Sequence, residues 1–299
     1  MAQDEEAGGS SAAGLDFEQH RRYLTGLAYR MLGSLAEAED AVQDAWLRWI
    51  ETDRSEITNP RAWLARVVTR LCVDQLRSAR VRRESYVGAW LPEPIADSQI
   101  FVPEESAAAL ASDLSVALLL ALERLSPLER AAFLLHDVFD LDFREVAETL
   151  GRDEAAVRQL ASRARRHVAE RKPRFDVAPA EGEAIARAFE AASRAGDVSA
   201  LKSLLAANAT LMTDGGGIRP SAINPIFGME RICRFFAGLV RKLGRQERQV
   251  VRYGLFNGLP GYLSVESDGL PQVTMLEISE GRIGAVYIMR NPEKLGRFL

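Results

Sequence analysis

Arg61, Arg66, Arg70, Arg77, Arg80, Arg82 and Arg83 follow one another in a single stretch, and Arg158, Arg163, Arg165, Arg166, Arg171, Lys172 and Arg174 in a second. Cations at this density neutralise phosphates, and an arginine or glutamine that reaches a groove can bond a base edge at two points. Both stretches are therefore candidate nucleic-acid surfaces, although the whole chain carries a formal charge of -4. The charge is segregated: Glu37, Glu39, Asp40 and Asp44 crowd the segment before the first basic group, so the total says little about either surface.

Acid–base chemistry has fewer carriers. His20, His136 and His167 all precede the last third of the chain, where Asp214, Tyr253, Glu266 and Glu277 are the conceivable acid or base groups. The glycines after Asp214 favour a turn there over a catalytic centre. Cys72 and Cys233 each sit in an apolar helical pattern without metal-ligand spacing, so buried thiols are expected, with no metal and no cofactor.

The 299 residues, 47% hydrophobic and 27% charged, suffice for two or three compact domains. The apolar run from Val116 to Leu122 falls far short of the roughly 20 residues that a bilayer requires. Residues 1–14 read as a disordered acidic leader without signal-peptide character, and a cytoplasmic protein is expected. Over 15–85, Phe17, Tyr23, Leu24, Leu27, Met31, Val42, Trp46, Trp49, Trp63, Leu64, Val67, Leu71 and Leu76 recur at helical spacing. A small helical domain follows from that, broken at Gly33 and by a loop over 52–60. Residues 86–112 form a linker holding Pro92, Pro94 and Pro103.

Residues 113–173 form a second helical domain. Ser126-Pro127-Leu128-Glu129 is a capping box. A helix from Phe143, a turn at Gly151 and a helix from Glu154 then give a helix-turn-helix. Val146, Ala147 and Leu150 face Val157, Leu160, Ala164 and Val168, leaving Arg158, Gln159, Ser162, Arg165 and Arg166 outward. After a linker over 174–182, residues 183–299 carry helical patterns at 184–195, 198–206 and 229–243. Alternating segments accompany them, including "RQVVRYGLF", "PQVTMLEIS" and "RIGAVYIM". An α+β domain with a run of antiparallel strands is the expectation.

The linker sequence "YVGAWLPEP" (86–94) sets Trp90 and Leu91 beside two prolines. Full burial of that pair would contribute on the order of 5 kcal/mol as an upper bound. Pro92 and Pro94 hold the segment near an extended conformation, which lowers the entropy cost of docking. "DGGG" (214–217) offers a turn with approachable backbone, and "NPEKL" (291–295) places Lys294 near the end of the chain. The linker is expected to dock on the last domain through these two motifs, with Glu93 meeting a cation or backbone donors; the other reading packs Trp90 on its neighbouring helix.

"AEAEDAVQDAWLRWI" (36–50), "NPRAWLARVVTRLCVDQLRSARVRR" (59–83) and "LSPLERAAFLLHDVFDLDFREVAETLG" (125–151), in this order, resemble bacterial RNA polymerase sigma factors of the extracytoplasmic-function type. The last domain resembles a SnoaL-like domain of the nuclear transport factor 2-like fold. With the three short motifs, the chain is similar to the group numbered 41, the sigma J-like proteins. The resemblance implies two all-α sigma domains, region 2 (15–85) and region 4 (113–173), followed by the α+β domain.

It also implies roles. Asp40, Gln43, Asp44 and Leu47 dock on the polymerase β′ clamp helices, with the β subunit as a further contact. Arg54, Ser55 and Asn59 of the 52–60 loop, with Arg66, Arg70, Arg77 and Arg80, open and read the −10 element. Arg158, Gln159, Ser162, Arg163, Arg165 and Arg166 read the −35 element. Trp90, Leu91, Pro92, Glu93 and Pro94 join Asp214, Gly215, Gly216, Gly217, Asn291, Pro292, Glu293, Lys294 and Leu295 in control between domains. Where the family has lysine after the glycines, this chain has Ile218 and then Arg219; either Arg219 takes over the charge or the contact is absent. A monomer is expected when the protein is not bound to polymerase.

Other functions stay open at this level. The C-terminal domain could hold a small ligand in a pocket, or be a catalytic unit fused to a helix-turn-helix regulator. A conventional activator that never enters the polymerase would leave the acidic 36–50 and basic 61–83 helices without a task.

Overall fold

The computed structural model describes residues 2–84, 86–96, 115–169, 177–244 and 248–298. It separates into two compact units, residues 2–82 with 118–169, and residues 83–96 with 115–117 and 177–298. Linker residues 97–112 and most of the 170–176 stretch between the second and third domains lie outside the described residues. Among the described residues no helix is long and apolar enough to cross a membrane.

In the first unit, α1 (Ala2–Leu32) and α2 (Leu35–Glu51) meet at Gly33, whose φ of 70° suits glycine. Ser34 caps α2 by accepting from the Glu37 backbone N–H at 3.3 Å. Residues 2–14, expected as a disordered leader, are instead continuous with α1. Alanine at 2, 7, 12 and 13 supplies helical propensity that outweighs Gly8 and Gly9. α3 (Pro60–Glu84) starts with proline at its first position, and Asn59 Oδ1 accepts from the Ala62 N–H at 3.0 Å. Trp49 is fully buried with its ring 5.5 Å from that of Trp63, and Trp46 lies 5.0 Å from Phe17, so aromatic contacts join all three helices.

The remainder of this unit comprises α4 (Val116–Leu122, from Leu118 onward), α5 (Pro127–Phe133), α6 (Phe143–Leu150) and α7 (Glu154–Ala169). Reciprocal capping boxes start α5 (Ser126 with Glu129) and α6 (Asp142 with Glu145), and Gly151 ends α6 in the left-handed region. Val146, Ala147, Val157, Ala164 and Val168 are buried as the spacing predicts; Ala161 is fully buried too, while Leu160 is only partly covered. Buried Arg130 donates to Met31 O (2.6 Å), Leu122 O (2.9 Å) and Glu123 Oε1 (2.8 Å), tying α1 to α4 and α5.

The second unit holds α8 (Pro179–Ala195), α9 (Val198–Leu204), β1 (Leu205–Asp214), β2 (Ile226–Phe227), α10 (Met229–Leu243), β3 (Gln249–Phe256), β4 (Leu259–Val265), β5 (Pro271–Ser279) and β6 (Arg282–Met289). The sheet order is β2-β1-β6-β5-β4-β3. Strands β3 to β6 form an antiparallel meander, but β1 pairs with β6 in parallel, so the sheet is mixed rather than purely antiparallel. The long excursion through α10 and the meander allows this, since parallel neighbours need a crossover and not a hairpin. Register places Asp214 opposite Met289, which brings residue 214 and the 291–295 segment to one end of the sheet. Phe189, Ile232, Cys233 and Phe236 of α8 and α10 pack on Leu211, Tyr262, Leu276, Val286 and Ile288 of one sheet face. Both cysteines are free and buried, and burial pushes the Cys72 thiol well above its usual value.

Arg219 resolves the alternative left by the sequence. It is buried, donates to both carboxylate oxygens of Asp268 (3.0 and 2.8 Å) and to Pro271 O (2.8 Å), and so fastens the turn after β1 to the start of β5. Ile218 is 57% exposed. Neither carries charge toward residues 86–96 in any printed contact; Arg219 is a staple of its own domain. Arg219→Met is expected to lower the stability of this domain by about 2 kcal/mol, because Asp268 loses its donors and Pro271 O is left unpaired. Urea unfolding followed by circular dichroism checks this.

Candidate functional site

On α2, Asp40, Gln43, Asp44 and Leu47 are all exposed and fall at i, i+3, i+4 and i+7, one continuous face. Leu47 is 47% exposed and Ile50, which the apolar pattern assigned to the core, is 45% exposed beside it. Acidic residues flanking exposed aliphatic ones make a surface suited to a protein partner.

The basic residues are arranged around α3 and α7. Arg54 lies 5.7 Å from the Trp49 ring, the Ser55 N–H bonds Asp53, and Asn59 is committed to capping α3. Arg66 and Arg70 reach across to α6: Arg66 pairs with Glu148 at 3.4 Å, and Arg70 Nε donates to Thr149 O at 3.1 Å. Arg77 pairs with Asp74 at 3.2 Å, and the Arg80 side chain lies outside the described residues. On α7, Arg158, Gln159, Ser162, Arg163, Arg165 and Arg166 are all exposed. Arg158 bonds Glu154 at 2.8 Å and Arg165 bonds Asp137 at 2.6 Å. These exposed pairs are worth little individually, so the side chains can exchange them for phosphates.

Within the second unit, Asp214 gathers the linker. Its side chain is fully enclosed and accepts four hydrogen bonds. Oδ1 takes the Tyr86 hydroxyl at 2.6 Å and the Gly216 N–H at 2.9 Å; Oδ2 takes the Leu91 N–H at 2.9 Å and Lys294 Nζ at 2.8 Å. Lys294 also donates to Leu91 O at 2.6 Å and stands 4.3 Å from the Trp90 ring centroid. Asn291 Nδ2 donates to the Tyr86 hydroxyl at 3.0 Å. Burial and the Asp214 carboxylate hold the Tyr86 hydroxyl far above its ordinary pKa, so it stays a donor. Leu91, Pro92, Glu93 and Pro94 are buried, Glu93 lies 3.8 Å from Arg297, and Leu295 is buried beneath the NPEKL turn. Trp90 is only half-buried, contrary to the expectation of full burial: its ring serves as a face for an ammonium.

The glycines explain themselves by contact. A Cβ on Gly215 would overlap Arg219 O, and one on Gly216, at φ 66°, would overlap the Asn291 side chain. The close approach brings Asn291 beside Asp214. Ile95 and Asn257 complete the docking: Asn257 Oδ1 accepts from the Ile95 N–H at 2.9 Å, Asn257 N–H returns a bond to Ile95 O at 2.8 Å, and Ala96 bridges Phe256. Asp214 is thus saturated and no general base, while Glu277 is held by the Tyr287 hydroxyl at 2.9 Å.

Residues 17–82 match Sigma-70 region 2, and residues 115–168 match Sigma-70, region 4. The ECF RNA polymerase sigma factor SigJ of Mycobacterium tuberculosis is 41% identical over 288 residues, covering 93% of this chain and 92% of the relative. The chain belongs to the extracytoplasmic-function sigma factors. The probable ECF RNA polymerase sigma factor SigI of the same organism is 32% identical over 278 residues, 92% of each chain. The crystal structure of Mycobacterium tuberculosis SigJ superposes with a TM-score of 0.74 at 38% identity, over 94% of this chain and 97% of that one. As a sigma factor the protein binds core RNA polymerase and promoter DNA to initiate transcription, and it is not an enzyme. Its third domain, helices on one face of a mixed sheet, is SnoaL-like.

Two contributors to the linker contact escaped sequence reading. Tyr86 stood inside the quoted motif but ahead of its conspicuous Trp and Pro residues, and Asn257 sits at a β-turn with φ 52°, a position that signals only a turn. Asp214→Ala is expected to cost the docked segment about 3 kcal/mol, since Lys294 is left without its carboxylate and two linker donors lose their acceptor. Chymotryptic cleavage after Trp90 then accelerates about a hundredfold if local opening limits it.

Proposed function

We propose that this sigma factor is controlled in cis by its C-terminal domain, which grips residues 86–96 and so shortens the connection available between regions 2 and 4. The observation that carries the reading is the enclosed Asp214 carboxylate, two of whose four donors come from the linker. Tethering supports it as well: a segment joined to its binding surface sees a millimolar effective concentration, so weak docking is enough. The Arg66 and Arg70 contacts to α6 fit a resting form in which part of the −10 reader is occupied by region 4. Control then becomes a shift of population between resting and polymerase-competent forms.

The finer assignments follow the same surfaces. The α2 face of Asp40, Gln43, Asp44 and Leu47, extended by Ile50, meets the β′ clamp helices; the 52–60 loop and α3 meet the −10 element; α7 meets the −35 element; region 4 adds a contact to the β subunit. This work places the protein in the cytoplasm.

In run-off transcription with sigma-free core polymerase, Asp214→Asn combined with Lys294→Met is expected to raise output several-fold over the unsubstituted chain. Unchanged output, with chymotrypsin showing the linker released, would sink the control reading. Asp44→Arg combined with Leu47→Arg should abolish co-elution with core polymerase while far-ultraviolet circular dichroism stays the same. Retained co-elution would remove the α2 face from the polymerase contact.

A further inference from the structure

The C-terminal unit encloses a cavity of about 290 Å³ between α10 and the sheet, at the small end of ligand-binding volumes. Phe235, Phe236, Leu239 and Val240 of α10 and Ile288 of β6 make an apolar wall, while Thr213, Tyr262, Gln272 and Arg290 line the polar side. The charged groups around it differ in their commitments. Arg248 is held by the Glu190 carboxylate and carbonyl and by Ser193 Oγ. Asp268 is bonded twice by Arg219, and Glu266 accepts from the Ser264 hydroxyl at 2.8 Å.

Arg290 is different. Nη1 donates to Pro220 O, but Nε is enclosed by protein and has no hydrogen-bond partner among the described residues. Burial and the neighbouring Arg219 charge push this guanidinium below its usual pKa, with Glu266 and Asp268 opposing the shift. A shielded guanidinium with an uncommitted N–H, set beside an aromatic and aliphatic wall, matches an anionic head on an apolar body.

We propose that this cavity binds a small amphipathic monocarboxylate, its head group on Arg290 and its apolar body against Phe235, Phe236, Leu239 and Ile288. The head group gives Nε an acceptor that the protein does not supply. Occupancy also reaches the linker. Thr213 and Arg290 line the cavity, and the residues that follow them, Asp214 and Asn291, hold residues 86–91. The Pro220–Ala222 wall belongs to the same loop as Gly217, on which a Cβ would touch Val87. The ligand therefore biases the grip on the linker; this second part rests on the control proposed above, and the binding part does not.

The test titrates the full chain with octanoate and with 4-phenylbutyrate, each against its primary amide, by calorimetry and thermal melting. Hydrogen exchange of residues 86–96 is followed in parallel. At least one carboxylate is expected to raise the melting temperature and to bind roughly tenfold more tightly than its amide. Arg290→Gln removes that preference, and Leu239→Trp, which fills the apolar side, removes binding of both. Exchange over 86–96 changes on loading. Failure of both carboxylates to bind, equal binding of the amides, or an Arg290→Gln chain that keeps the preference each overturns the ligand assignment. Binding without any change in exchange overturns the coupling, whereas the ligand-free transcription of the Asp214 and Lys294 variants judges control in cis separately.

Discussion

A carboxylate removed from water has to find its donors in the polypeptide, and Asp214 finds them in three separate parts of the sequence. The turn that follows it supplies Gly216, the end of the chain supplies Lys294, and the segment leaving region 2 supplies Tyr86 and Leu91. Four donors saturate the acceptor capacity of the group. Any one contact would be modest in water, but the enclosed site makes the loss of a partner costly for those that remain. The parallel pairing of β1 with β6, the triple glycine and the proline-stiffened linker can all be understood as conditions for this single convergence.

The rest of the molecule divides by how firmly each surface is committed. The helical interior is held by tryptophan contacts, paired capping boxes and the buried Arg130 staple, interactions that change little without unfolding. The surfaces that meet polymerase and promoter carry exposed ion pairs such as Arg158 with Glu154. Solvated pairs of that kind exchange readily for phosphate or for a partner's side chains. Strong interactions are therefore spent on shape and weak ones on recognition.

Much of this was legible in the amino-acid order because the signals are local. Ser126 with Glu129, and Gly151 between two amphipathic runs, specify helix ends through neighbours three or four residues apart. The ranges of α10, β5 and β6 follow directly from periodicity. What remained hidden is long-range. Nothing around Leu205–Asp214 says that its strand pairs in parallel with residues some seventy positions later. Arg219 next to a glycine turn looks like a spare cation until Asp268 is placed beside it, and Tyr86 looks like an ordinary helix-end aromatic until Asp214 arrives. Residues 2–14 were misjudged for a different reason: a small-residue composition suits both a leader and an alanine-bearing helix.

The docked segment also changes what counts as a unit of inheritance. By sequence the C-terminal domain seems detachable, beginning after region 4 and closing the chain. Structurally it completes itself with residues 86–96, which are encoded ahead of region 4 and on its far side. Recombination that moved only residues 177–298 to a new partner would transplant a carboxylate stripped of two of its donors. The domain can travel intact only with a sigma factor that already carries the matching linker, so its two pieces are bound to a shared history by hydrogen bonds rather than by adjacency in the gene.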